Sequence, residues 1–565
     1  MRLGCRLLLL NLIASLALAD LTMEQKISDF QALASVYAKR YAAYDWKVAT
    51  TSVDLLDIGT WLAQVQATTN DLDFYEVMID YLAALDDAHS YFISPANFSA
   101  NLNFTVDLYD GNLLVDSINT ARLPTATFGF KTGYQLVSID GQDAPTLLNG
   151  LLKYAIAGNP RSTRRLAATL LTSRPQSRMP HAPSVPDVSR VVFQRPDGGR
   201  ETYQIPWTKS GLAMTSVGTF KSPFPLADAT TSGEAPMDDS ADYMQTLRRL
   251  WNGKLPDNAV LGSGSLTPIF AASMPSGFVQ RLGRFASDPF YSGVFTANGK
   301  NIGFIRIPSF SPISTTTAVG AFQNEIAYLQ ENTDALVVDV MRNPGGDVSY
   351  LNTLLSYLMP SRWTSIGYEL RATSEWVAAI SSALTLARAQ GAPQSTIAGL
   401  QSIADAILTA NQQLAGRTAA VPLDGVTIDR DPAKDSKGNV IAYTKPIMVL
   451  VDEITGSAGD AFAATVQDNA RGPLFGWRTM GAGGASVETW LAGSFSQGFA
   501  IVPESLMHRP GSIATPDFPP TPYIENVGVR PDIQVDYMTA DNLNQRGKPF
   551  VDAFVAATIA QLEGH

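Results

Sequence analysis

The chain has 565 residues, 45% of them hydrophobic and 16% charged, and a net charge of −11. That length and apolar share describe several packed globular domains and exclude a disordered chain. The acidic balance argues against a nucleic-acid partner, and four scattered histidines with one cysteine offer no metal-ligand spacing, so neither nucleic acid nor a metal or other cofactor is expected.

Residues 1–19 read as a signal peptide. Arg2 and Arg6 form its charged start, residues 7–16 its apolar core, and Ala17-Leu18-Ala19 a cleavage site before Asp20. The apolar run is short for a membrane span and no later stretch reaches that length, so no integral span is expected and the destination is secreted or periplasmic. Cys5, the only cysteine, lies inside this segment, so the mature chain would carry no thiol.

Residues 20–100 form a helical N-terminal region, with apolar stripes at Phe30, Leu33, Val36 and Tyr37 and at Phe74, Val77, Met78 and Tyr81. It closes on Asp86-Asp87-Ala88-His89-Ser90-Tyr91. His89 can serve as a base near neutral pH or simply solvate a helix end, and the other histidines are His181, His508 and His565.

Residues 101–210 carry a β-domain pattern. Val191-Val192-Phe193 and Tyr203-Gln204-Ile205 flank the turn Pro196-Asp197-Gly198-Gly199. The run from Gly129 through Gly133 to Ile139-Asp140-Gly141 resembles a signature segment of PDZ domains. Residues 159–188, rich in Pro, Ser and Arg, read as a long insertion. Residues 211–285 form a linker or insertion whose part 227–242 is acidic and exposed, a site for proteolytic nicking.

Residues 286–540 hold the core, and residues 541–565 a closing helix. The core starts with a hairpin through Asn298-Gly299 and is interrupted over about 370–440 by a helical hairpin turning at Gly391-Ala392-Pro393, which leaves a lid or a homodimer contact open.

Two blocks in this core carry chemistry. Residues 336–340 form a buried strand that runs into Asn343-Pro344-Gly345-Gly346 and then a helix marked by Val348, Leu351, Leu355 and Leu358. Two glycines let a backbone approach a ligand closely, though they also suit a plain tight turn. Residues 447–451 form a second buried strand, which turns at Thr455-Gly456 and enters a helix at Ser457. A serine lifted out of a sheet, backed by the free N–H groups of a first helical turn, has the geometry of a nucleophile. It also has the geometry of an N-cap. The amides suited to an oxyanion are those of Ala458 and of Gly346, with Gly345 second; Pro344 has no N–H to give.

Together, Arg342-Asn343-Pro344-Gly345-Gly346, the loop Thr455-Gly456-Ser457-Ala458-Gly459-Asp460 with Gln467-Asp468-Asn469, and Glu525-Asn526-Val527-Gly528-Val529-Arg530-Pro531-Asp532 resemble the C-terminal processing (tail-specific) and tricorn-core serine peptidases. The resemblance implies a multidomain α/β protein with a crotonase-like core, a helical N-terminal region and a PDZ-like domain. It implies a serine endopeptidase acting on unfolded or C-terminally exposed polypeptide. The tail-specific branch carries a lysine about 25 residues after its serine, where this chain has Met480-Gly481-Ala482-Gly483-Gly484. The other branch, that of chlamydial protease-like activity factor, uses histidine and glutamate. By that resemblance His89 is the base and Glu525 its carboxylate, with Asp87 and Asp460 as fallback carboxylates. The missing lysine also keeps a catalytically inactive peptide- or ligand-binding protein in play.

Overall fold

The computed structural model describes residues 20–51, 53–217, 260–424 and 427–564. The signal-like segment, the acidic stretch 227–242 and His565 lie outside the described residues.

The two apolar runs of the core are adjacent parallel strands, Ala335–Asp339 and Ile447–Val451, with every residue buried. They sit in the middle of a sheet of seven described strands. In spatial order these are Val279–Leu282, Tyr291–Ala297, Lys300–Arg306, Ala335–Asp339, Ile447–Val451, Leu474–Gly476 and Ile533–Gln534. The first three pair antiparallel, and every later pairing is parallel. Period-two alternation divides the strands between two layers. Leu336, Val338, Val449 and Val451 pack under helices Thr315–Asn332, Val348–Ser356 and Ala458–Asp468. Val337, Met448 and Leu450 face helix Lys548–Glu563. Each such aliphatic side chain contributes about 1.5–3 kcal/mol on burial. Asp339, the one charge in its strand, is neutralised by Arg306 at 2.8 Å, with both side chains fully buried.

Helix Ala458–Asp468 is buried from Ala458 to Val466. Its small residues Ala461, Ala463 and Ala464 let it sink onto the sheet, which carries Ser457 deep into the molecule.

The N-terminal helices Met23–Arg40, Tyr44–Thr51, Gly59–Ala67 and Asp71–Ala83 share a core with Ala500, Val502 and Leu506. These residues belong to a long strand of the C-terminal half, Phe499–Ile513, which pairs antiparallel with Tyr91–Ile93 in the register Tyr91↔Ile501 and Ile93↔Phe499. That pairing anchors His89, two residues upstream.

The β domain is an antiparallel sheet of Phe104–Tyr109, Asn112–Ile118, Gln135–Ile139, Val188–Gln194 and Arg200–Pro206, with Gln142–Asp143 at one edge. Part of the expected insertion is structured here. Pro160–Leu170 is a helix, capped by Asn159, whose side chain accepts from the amides of Arg161 and Ser162. The Asn-Pro pair is a helix start that the surrounding Pro, Ser and Arg composition hides. In the core, Ser374–Ala389 and Gln394–Gln412 form the expected helical hairpin.

Candidate active site

Ser457 has φ 57° and ψ −121°, a left-handed conformation that costs a non-glycine residue about 1–3 kcal/mol. The neighbouring bonds hold it there. Its N–H donates to Asp460 Oδ2 at 2.8 Å, and the Gly456 N–H donates to the Asn343 carbonyl at 2.9 Å. The second bond ties the serine loop to the Arg342–Gly346 turn.

That turn lies directly against the serine. A Cβ added at Gly345 would stand 2.6 Å from Ser457 Cβ, 3.0 Å from its Oγ and 2.9 Å from the Ala458 nitrogen. Gly345 also has φ 95°, so both contact and conformation demand glycine. Its N–H is already given to Asn343 Oδ1 at 2.8 Å, which takes Gly345 out of the pool of oxyanion donors. Gly346 is different. Its bridge to Phe310 uses the Gly345 carbonyl and the Asp347 amide, not its own N–H.

Asp460, in the first helical turn, is buried and accepts from four donors. Besides Ser457 N–H these are Thr479 Oγ1 at 2.5 Å, Gly481 N–H at 2.9 Å and Ala482 N–H at 3.0 Å. Burial nevertheless pushes its carboxyl up to about 6, against the pull of these donors. This one carboxylate joins the serine loop to residues 479–482, the stretch that carries lysine in the tail-specific branch.

His89 and Glu525 meet the far end of the same stretch. A Cβ at Gly484 would lie 3.2 Å from His89 Nδ1, and one at Gly483 would lie 2.3 Å from the Glu525 nitrogen. Gly483 N–H donates to Glu525 Oε2 at 2.8 Å. His89 is fixed from behind by Asp87, whose Oδ1 accepts the His89 N–H at 2.7 Å and whose Oδ2 accepts from Tyr41 Oη at 2.6 Å and Ser90 Oγ at 3.1 Å. Ala88, Ile454, Met480 and Ala482 share one buried apolar cluster with Ala157, so the loops that carry His89 and Ser457 touch. Ser457, His89 and Glu525 are all fully buried.

Burial, and then the nearby Asp87, push the Glu525 carboxyl well above the usual range, while Lys47 and the Gly483 N–H pull it back. Lys47 Nζ is 2.5 Å from Glu525 Oε1. Residue-by-residue reading of the sequence missed Lys47, since its partner is 478 positions away.

The other histidines stand elsewhere. His508 faces Glu369 at 3.7 Å and packs edge-on to Tyr523. His181 pairs with Asp73 at 3.0 Å, half exposed. A cavity of about 780 Å³ opens beside the site, walled by Ala88 and Tyr91 of the N-terminal region, Asp116 and Leu166 of the β domain, and Pro344 and Met480 of the core.

The chain is a serine-type peptidase with a PDZ domain: the model of peptidase family S41 matches residues 301–535, and that of a PDZ domain matches residues 98–212. Over nearly its whole length the chain is similar to a protein of Chlamydia pneumoniae, 24% identical over 96% of this chain and 91% of the relative. A protein of Chlamydia muridarum is 27% identical over 96% and 94%. Among solved structures, mature CPAF (chlamydial protease-like activity factor) complexed with lactacystin shares the fold, with a TM-score of 0.73, 22% identity, and coverage of 96% of this chain and 99% of that one. Among the described residues, no helix is long and apolar enough to cross a membrane.

Proposed function

We propose that the protein is an exported endopeptidase that cleaves unfolded or C-terminally exposed polypeptide through an acyl-enzyme, on a core of crotonase-like type. Ser457 Oγ attacks the scissile carbonyl and His89 takes its proton. Glu525 orients the imidazole and stabilises its charged form. The amides of Ala458 and Gly346 hold the oxyanion. The tetrahedral intermediate collapses as His89 returns the proton to the leaving amine. Water, deprotonated by His89, then releases the acyl group and restores the serine.

The observation that carries this reading is the convergence on residues 480–484. Asp460 couples Ser457 to Gly481 and Ala482, Gly483 binds Glu525, and Gly484 packs on His89 Nδ1. An imidazole beside the stretch that lacks the lysine supports a base of another kind for the serine. The same contacts count against a purely binding protein, since such a protein has no need of a strained, buried serine beside a histidine. The export reading rests on residues 1–19.

The test is cleavage of casein by the mature chain beside Ser457→Ala and His89→Ala. Both variants should be inactive and folded. Full activity in Ser457→Ala would refute the assignment, and no activity in any form, including after limited proteolysis, would favour the binding scaffold.

A further inference from the structure

Lys47 comes from helix Tyr44–Thr51, in the N-terminal region that also supplies His89. Its side chain is 1% exposed and its ammonium is fully engaged. It donates to Glu525 Oε1 at 2.5 Å, to Asn526 Oδ1 at 2.6 Å and to the Asp86 carbonyl at 2.9 Å. Three acceptors for three N–H bonds fix its position, and two of them lie on the segment that carries Glu525. Asn526 is itself locked, with φ 63° and its amide donating to the Asp86 carbonyl at 2.8 Å.

A buried ion pair is weak evidence for stability, because desolvating two charges offsets their attraction. Its placement is more informative. Glu525 has one oxygen on Lys47 and the other on the Gly483 N–H, beside the glycine that packs on His89. Burial and Asp87 push this carboxyl up to about 8, and Lys47 is the cation that pulls against them. A neutral Glu525 could not stabilise an imidazolium.

We propose that Lys47 is a positioning residue of the catalytic site, clamping Glu525 in the orientation that serves His89 and favouring its ionised form. The proposal rests on the reading of Ser457, His89 and Glu525 given above. The charged and titratable groups around Glu525 are Lys47 on its helix, Asp87 and His89 on the turn after Asp71–Ala83, and Tyr41, whose phenol is bound to Asp87. Arg478 is directed to the carbonyls of Asn526 and Val527 and to Asp517. Lys47 is the only one of these, among the described residues, whose cationic head contacts the Glu525 carboxylate.

The experiment compares Lys47→Met, Lys47→Arg, Glu525→Gln and Lys47→Met/Glu525→Gln in the full chain, with kcat, KM and the pH profile of kcat/KM. Lys47→Met should lower kcat on the order of 10²-fold with KM little changed, and the acid limb of the profile should move to higher pH. Lys47→Arg should restore most of kcat and the original limb. In the Glu525→Gln background, Lys47→Met should add less than about threefold, because both changes remove the same interaction.

An unmoved acid limb in Lys47→Met, or an equal further loss in the Glu525→Gln background, overturns the proposal. If Lys47→Met does not fold, the Lys47→Arg profile and the double variant, in which no charge is left unpaired, decide by the same criteria. Full activity in Glu525→Gln would remove the Glu525 assignment itself. Impaired Glu525→Gln beside unimpaired Lys47→Met would remove only the role of Lys47.

Discussion

The two halves of the site are built in different ways. The serine half is local: the strand Ile447–Val451, the turn at Ser457 and the helix Ala458–Asp468 are consecutive, and the turn Arg342–Gly346 reaches them through one sheet pairing. The base half is assembled from afar. His89, Asp87, Tyr41 and Lys47 all come from the first hundred residues and meet Glu525 only because the N-terminal helices dock on strand Phe499–Ile513. On the proposed reading, a site divided in this way holds its nucleophile in place while its base depends on a domain contact.

On the proposed mechanism, the largest effects should fall on Ser457 and His89. We expect Ser457→Ala and His89→Ala each to reduce kcat by roughly 10⁴- to 10⁶-fold, leaving the level that oxyanion binding alone supports. Thermal unfolding should also register Ser457→Ala, since the Ser457 side chain accepts from the Asp460 amide in a capping box, and losing such a cap costs about 0.5–2 kcal/mol. A His89→Ala protein retaining more than about a tenth of the activity would move the base elsewhere.

Next comes Gly345→Ala, which tests how tightly the serine half is closed. The added methyl would sit 2.6 Å from Ser457 Cβ, at a residue with φ 95°. A loss of about 10²- to 10³-fold in kcat is expected, the range seen for damage to an oxyanion site, with about 1–3 kcal/mol lost in stability. Preserved kcat with lowered stability would show that the turn supports the fold but not the reaction.

The pH dependence distinguishes geometry from stability at Asp460. Its folded-state value, about 6, lies above the ordinary aspartate value of 3.8. Protonation therefore favours the folded state, and the stability this group contributes is present below about 3.8 and lost as pH rises through about 6. The span corresponds to about 3 kcal/mol. Activity should run the other way. Below about pH 6 the neutral carboxyl no longer accepts fully from Ser457, Thr479, Gly481 and Ala482, and cleavage should fall. Asp460→Asn should show lower activity with a flatter acid limb, and the melting-temperature difference between parent and variant should shift toward the parent as pH drops from 7 to 5. A difference independent of pH would contradict this reading.

Legibility in the sequence follows the same division. Strand, turn and helix around Ser457 were readable because apolar runs, glycines and helical spacing are local signals. The choice between Gly345 and Gly346 was not, because it depends on the Asn343 side chain taking the Gly345 amide. Asp460 reads as a fallback carboxylate or a helix-end residue, and its tie between two loops is not legible, since three of its four donors belong to residues 479–482. Lys47 left no local trace at all. A lysine in an amphipathic helix reads as solvated surface, and only docking shows that this one is buried against residues 525 and 526.

The smallest expected effect probes how finely the base half is held. Tyr41 donates to Asp87 Oδ2 at 2.6 Å, one bond behind the residue that accepts the His89 N–H. In Tyr41→Phe, Asp87 keeps its bonds from Ser90 and from the His89 backbone, so the turn should persist. Losing a hydrogen bond to a charged acceptor costs about 1.5–3 kcal/mol, and the buried phenyl ring keeps its packing against Tyr37. A fall in the unfolding midpoint with only a few-fold drop in kcat would mean that Asp87 holds the backbone at His89 without setting the ring. A drop approaching that of His89→Ala would mean that the imidazole is aimed through Asp87 as much as through Glu525, and that the base half carries two positioning carboxylates where the serine half carries one.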